Sequence, residues 1–286
     1  MKKLFLLILL LQASYSFAQN DSVARQKITT TANMIGIGHT NVLDDYLSNE
    51  KYRGTELRFI SMTEKYTPSK RLSFQRLFQV DASLPSNNSE TGSNIVGMMN
   101  YSLGWYYNWN FLDGNLRVQA GGLADMNFGG ILNTRNGNNA GQLRCYLNIA
   151  PSAAVTYDFS MWRRNFALRY SIDVPLFGLM FSPNYGQSYY EIFTRSKYDH
   201  NLVFTTIGCA PSMRHTFTLD FPIRKTTLRV GYFGDFQQAK VNGIKSHIWT
   251  NGVVLGIIKR FIISKYEKNH TNNNNGTVSG GRSVVR

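Results

Sequence analysis

Beyond its first residues the sequence has no long apolar run. After residue 18 nothing approaches the roughly 18–20 apolar residues that a membrane-crossing helix needs. Heptads and helical stripes are missing too, which removes coiled coils and helix bundles. The chain has only seven prolines and two cysteines in 286 residues. Two thiols cannot staple a small secreted scaffold, and Cys145 and Cys209 read as unpaired. Acid is scarce as well, with 17 Asp and Glu against 31 Lys and Arg, a net charge of +14. Such a surplus raises nucleic-acid binding, but no recognition helix, zinc spacing or stacking platform accompanies it. The basic residues fall in turns and tail instead, at "PSKR", "WRR", "RK", Lys265, Lys268, Arg282 and Arg286. Nucleic acid is therefore not expected as a partner, and anionic lipopolysaccharide outside the cell is.

What is present begins with an export signal. Lys2 and Lys3 precede the apolar "LFLLILLL", and "SFA" (16–18) supplies small residues for cleavage before Gln19. Further on, "FALRYSIDV" (166–174) sets Phe166, Leu168, Tyr170, Ile172 and Val174 against Ala167, Arg169, Ser171 and Asp173. That is the two-residue period of a strand with one greasy and one polar face.

The same alternation recurs in ten segments, at 28–38, 54–66, 72–83, 95–111, 116–128, 143–159, 166–174, 212–221, 227–238 and 247–261. Short turns at 67–71, 112–115, 160–165 and 222–226 alternate with longer connections at 39–53, 84–94, 129–142 and 176–211. Short turns at one end and long loops at the other mark an all-β, up-and-down antiparallel transmembrane barrel, with an even strand number. Ten strands are expected, with twelve as the alternative. Trp105, Trp109, Trp162 and Trp249 near strand ends suit interfacial girdles. The expected organisation is a signal peptide at 1–18, a periplasmic segment at 19–27, the barrel at 28–261 and a disordered polar tail at 262–286.

A secreted β-sandwich or a lipocalin-like barrel would alternate too. Against these, the charges gather on one face and leave the other almost free, apart from Arg76, His215 and Lys259. The last strand also ends on Phe261, behind Ile257, Leu255 and Val253, like the terminal signal that barrel-assembly machinery recognises. "DDYLSNEKYRGTELR" (44–58), "SPNYGQSYYEIF" (182–193) and "LDFPI" (219–223) resemble motifs of an uncharacterised Bacteroidota membrane-protein family, a domain of unknown function. The resemblance spans nearly all of the mature chain. It implies an exported barrel and brings no catalytic assignment.

Two function classes follow. One is a non-enzymatic outer-membrane protein acting in envelope structure or in binding or transport of a small or lipidic ligand. The other is an outer-membrane hydrolase, protease or lipase in type, with a site at the external rim. Its constellation would be His39, Asp44 and Asp45 on the first loop with Asp199 and His200 on the fourth, since an Asp–His pair can activate water or a serine. No metal spacing, nucleophile motif or cofactor signature is present. The fourth connection is long and aromatic, and Tyr185, Tyr189, Tyr190 and Phe193 could serve there as a lid or a ligand surface.

If the greasy face meets lipid, the polar face points into the barrel. Arg58, Arg117, Arg144, Arg169, Arg214 and Arg229 then share the lumen with Asp81, Asp125, Asp158, Asp173, Asp220 and Asp235. A ten-stranded barrel is narrow. Charges in such a space must be paired, which predicts a salt-bridged, plugged interior rather than a general porin.

Overall fold

The computed structural model describes residues 25–265, apart from 138 and 225, together with 284–285. The segment expected to be a signal peptide (1–18), most of 19–27 and, of the tail, residues 266–283 and 286 lie outside the described residues. The chain is all-β. Its strands are β1 (Arg25–Asp44), β2 (Ser48–Thr67), β3 (Leu72–Ser83), the two-residue β4 (Ser86–Asn87), β5 (Asn94–Phe111), β6 (Leu116–Asn133) and β7 (Gly141–Met161). They continue with β8 (Arg164–Asp173), β9 (Phe177–Phe181), β10 (Leu202–Thr206), β11 (Met213–Ile223), β12 (Thr226–Val241), β13 (Ile244–Lys265) and the short β14 (Val284–Val285), with one α-helix among the described residues, α1 (Tyr189–Phe193).

Ten of these strands close an antiparallel barrel. Around the wall the order is β1, β2, β3, β5, β6, β7, β8, β11, β12 and β13. The ring closes where β13 returns to β1, paired from Arg25↔Lys265 to Asp44↔Ser246. Closure removes both sheet edges, so every wall strand finds its hydrogen bonds within the protein, as hydrocarbon demands.

Along much of the wall the large apolar residues point outward and the charged ones inward. Ile35, Leu57, Phe128, Leu147, Ile149 and Leu255 are exposed, while Glu56, Arg58, Asp125, Gln119 and Thr250 are buried. A soluble protein does the reverse. Large apolar side chains exposed on strands all around the wall are compatible with lipid and would be an aggregation hazard in water. The fold is a transmembrane β-barrel.

The strands run well past the segments that alternate in the sequence. The first connection, expected at 39–53, is only the turn at 45–47, and the third shrinks to 134–140 between β6 and β7. The reason is a change of interior. Near the long-loop end the inward residues become apolar, with Val42, Tyr52, Val96, Met98, Ile131 and Ile248 in one buried cluster. On β1 and β2 the outward residues there are polar, with His39, Lys51, Arg53 and Thr55 exposed, so the greasy-out, polar-in phase that marks the rest of the wall is lost although the hydrogen-bond ladder continues. The last strand likewise ends at Lys265, past Phe261, and β14 pairs with Ile262 and Ile263.

The short turns are tight. Pro68–Lys70 and Leu112–Gly114 are single 3₁₀ turns, and β7 joins β8 through Trp162 and Arg163, both in the left-handed region at φ 50° and 59°. Cys145 and Cys209 are both free.

Candidate functional site

Arg58 on β2 is the hub of the lumen. Its Nε donates to Glu56 Oε1 at 2.8 Å and its Nη1 to Asp235 Oδ2 at 2.8 Å, while Nη2 lies 3.5 Å from Asp81 Oδ1. Its guanidinium also sits 4.8 Å above the Phe233 ring. Three carboxylates from β2, β3 and β12 thus share one planar cation, a geometry that suits arginine's fork.

Other pairs extend this network along the barrel. Arg214 lies 3.4 Å from Asp125 and 3.7 Å from Asp235, and Asp125 also accepts from Ser102 at 2.7 Å and Asn127 at 2.6 Å. Toward the short turns, Arg117 donates to Glu64 at 2.9 Å. Arg169 reaches the same carboxylate at 3.6 Å and makes a shorter bond, 2.6 Å, to Gln119 Oε1. Arg229 grips Asp220 with two bonds of 2.6 and 2.7 Å. Arg144 holds Asp44 at 3.1 Å near the long-loop end. Asp173 bonds the Ser152 hydroxyl. Asp158 and Arg260 line an open vestibule of about 460 Å³ at the short-turn mouth, with Arg163, Arg164 and Arg224.

An apolar strip fills what these pairs leave. Phe233 crosses onto β1 and β13 and packs with Met34, Ile60 and Val254. Glycine makes the room. A Cβ at Gly252 would meet Phe233 Cε1 at 2.6 Å, and one at Gly38 would meet Phe233 Cζ at 3.2 Å.

The fourth connection splits the wall before it folds. Strand pairing between β8 and β11 stops at Asp173↔Arg214 and resumes between β9 and β10 at Phe177↔Thr206. Residues 174–176 and 207–212 bulge between these pairs, and Val174 and Leu176 keep backbone bonds to Pro151 and Ile149 on β7. A cavity of about 50 Å³ opens at the break, lined by Arg144, Tyr146, Asp173, Leu176, Arg214 and Gln237 among others.

Beyond the break the loop at 182–201 forms a lid. Ser188 caps α1 through a reciprocal box with Glu191, and Ile192 is fully buried. Tyr189 donates to Gln142 Oε1 and accepts from the Leu143 amide, each at 2.8 Å. Tyr46 in the first turn donates to the Gln187 carbonyl at 2.9 Å. Burial pushes the Tyr189 phenol well above its ordinary range, so it stays a donor. The Ser188 amide and hydroxyl hold the Glu191 carboxyl below its ordinary value. Of the aromatic residues expected to form a ligand surface, Tyr189 is thus fixed to the wall, whereas Tyr185, Tyr190 and Phe193 are exposed.

The hydrolase constellation does not assemble. His39 lies within β1, opposite Asn251 and Thr55, and is exposed on the outer face rather than on a loop. Asp44 is buried against Arg144, and Asp45 sits in the turn beyond it. Asp199 and His200 bond each other at 2.9 Å with side chains 71% and 92% exposed. The first and fourth loops do meet, but through Tyr46 and Gln187. Among the described residues no His, Cys, Asp and Glu side chains gather to hold a metal.

Residues 3–268 match the family described as "Protein of unknown function (DUF3316)". The chain belongs to that family. Among curated proteins none matches the sequence. Solved structures similar to this DUF3316 chain include the transport unit of the autotransporter AIDA-I from Escherichia coli, at 10% identity and TM-score 0.44, covering 90% of this chain and 91% of that one. The outer membrane protease OmpT from Escherichia coli is similar at 6% identity and TM-score 0.44, over 87% and 100%. Neisserial surface protein A is similar at 8% identity and TM-score 0.30, over 80% and 96%.

Sequence reading missed Phe233, Tyr146 and the wall break. Phe233 stands in β12 beside Tyr232, and alternation alone marks its inward phase. Nothing local marks the break except Pro175 and the non-alternating residues 207–212.

Proposed function

We propose that this DUF3316 protein is an outer-membrane β-barrel, closed to general solute flow, that acts without catalysing a reaction. Its role would be in envelope structure or in binding or transport of a small or lipidic ligand. The single observation that carries the reading is the hub at Arg58, where carboxylates from β2, β3 and β12 converge on one guanidinium in the lumen. A conducting pore needs continuous water-filled room. Here paired charges, Phe233 and the apolar cluster above them occupy the axis between the short-turn vestibule and the lid. Outer-membrane lipids and lipopolysaccharide would be its surroundings, and the barrel-assembly machinery its route of insertion. Nucleic acid has no place in this reading.

Planar-bilayer recording tests it. Purified wild-type protein should show no large, steady conductance, and a membrane-fraction sample should migrate differently before and after boiling. Steady large currents would overturn the closed-barrel reading. Recovery of the mature chain from the soluble periplasm would overturn the membrane assignment itself.

A further inference from the structure

The cavity at the wall break carries a pattern of unused hydrogen bonds. Arg144 Nε, Tyr146 Oη and Gln237 Oε1 are all buried, and none has a protein partner; Arg214 Nε, from the same lining, makes no hydrogen bond either but keeps Asp235 Oδ2 at 3.7 Å as an ion pair. Each belongs to a residue that lines this one cavity. The Arg144 guanidinium is spoken for at Nη1 by Asp44 and lies 5.3 Å over the Tyr146 ring, so its free Nε–H is held in place. The Gln237 amide nitrogen is likewise used by Asp235 at 3.2 Å, which leaves the oxygen as the idle atom. A buried polar atom without a partner loses its hydration with nothing in exchange. Three on the wall of one cavity are better explained by a ligand than by chance.

These idle atoms state what the ligand must offer. Arg144 Nε–H is a donor only, Gln237 Oε1 is an acceptor only, and the Tyr146 hydroxyl is either. A carboxylate or phosphate would supply acceptors alone, and an ammonium donors alone. A hydroxyl or an amide supplies both. The charges nearby agree, because Asp125 and Asp235 already face Arg214, Arg144 is taken by Asp44, and Asp173 adds a further acid to the lining. An added anion would meet surplus acid, and an added cation would meet two guanidiniums.

Size and exit set the rest. About 50 Å³ is the room of a few water molecules, enough for a small head and too little for an acyl chain. The chain must therefore lie elsewhere. The other side of the lining is apolar, with Leu176, Phe177, Met180 and Met213. Phe177 is 52% exposed on the outer face, beside its partner Ile149, which is exposed as well. The break thus joins an interior hydrogen-bonding pocket to the lipid-facing belt.

We propose that the gap bounded by residues 174–176 and 207–212 binds the uncharged, hydroxyl- or amide-bearing head of a single-chain amphiphile, whose chain leaves sideways past Leu176 and Phe177 into the hydrocarbon. This rests on the reading of the protein as a closed barrel that binds a small or lipidic ligand, and it names the ligand class and the entry side.

The test uses the full chain in phospholipid nanodiscs with a diazirine-bearing 1-monoacylglycerol as probe. Saturable photolabelling should map to residues 174–180 and 207–213. Unlabelled 1-monomyristoylglycerol should compete at least tenfold better than myristate or dodecyltrimethylammonium. Tyr146→Phe and Gln237→Ala should each weaken apparent affinity about five- to tenfold, the worth of one hydrogen bond. Ala239→Trp, which fills the pocket, should abolish saturable labelling while boiling still shifts electrophoretic mobility. Labelling spread evenly over the outer belt, or saturable labelling unchanged in Tyr146→Phe and Gln237→Ala, would overturn the inference. Either result with a non-conducting, heat-modifiable barrel leaves the closed-barrel reading standing, whereas large conductance strikes at that reading alone.

Discussion

Arg58 Nη1 lies 2.8 Å from Asp235 Oδ2 although β1 and β13 stand between their strands in the wall. The bond therefore spans the lumen rather than running along the sheet. Both side chains are almost completely buried. Removing one partner leaves the other as an uncompensated charge, a far larger loss than the net worth of the pair.

Arg58→Ala should accordingly destabilise the barrel by about 3–5 kcal/mol, since Glu56, Asp81 and Asp235 all lose their shared cation. Arg169→Ala should cost less, about 1–3 kcal/mol, because Glu64 keeps Arg117 at 2.9 Å and Gln119 at 3.0 Å. Urea unfolding in micelles, followed by tryptophan fluorescence, measures both. Equal losses would contradict the special place of Arg58.

Gly252→Ala should destabilise by about 1–3 kcal/mol. The new methyl would clash with the Ile37 carbonyl and sit 2.6 Å from Phe233 Cε1, and backbone cannot step aside as a flexible side chain can. Gly97→Ala is the control, since nothing lies within 4 Å of its added Cβ. If both variants unfold at the wild-type midpoint, the packing of Phe233 on a glycine floor is wrong.

The turn at Trp162 and Arg163 places two ordinary residues at positive φ, where Asn242 and Gly243 do the same job between β12 and β13 with the residues that favour it. Arg163→Gly should therefore raise stability by about 1 kcal/mol. Trp162, 81% exposed, would keep its position at the interface. A lower unfolding midpoint would show that the Arg163 side chain holds the vestibule together.

The lid should loosen in acid. The folded Glu191 carboxyl is held below its unfolded value of 4.5 by Ser188, so its cap is fully present above that value and is lost as pH falls through the lower, folded one. The protection factors of amides 188–194, taken against the intrinsic exchange rate at each pH, should fall between about pH 5 and pH 3 in wild type. They should already be low at pH 7 in Glu191→Ala. Deleting 184–198 should still give a heat-modifiable barrel, because β1 to β13 pair without it. A deletion that prevents assembly would make the lid part of the fold.

The wall was legible in the amino-acid order alone. Ten alternating segments, their inward and outward phases and the charged lumen follow from a two-residue period, which is a local property of each strand. "FALRYSIDV" (166–174) suffices to turn Arg169 and Asp173 inward. The register that pairs particular charges is not local. Arg169 settles on Gln119 and Glu64 rather than on an aspartate, and Arg58 meets Asp235 only because closure of β13 on β1 brings distant strands across a narrow lumen. His39 reads as a loop residue because near the long-loop end the outer face of β1 and β2 turns polar while the inner one turns apolar, and backbone pairing goes on regardless of that change. The wall break was decided by tertiary structure too: residues 207–212 bulge because strand β10 follows β9 away from β12, and no short stretch of sequence records which neighbour a strand will leave.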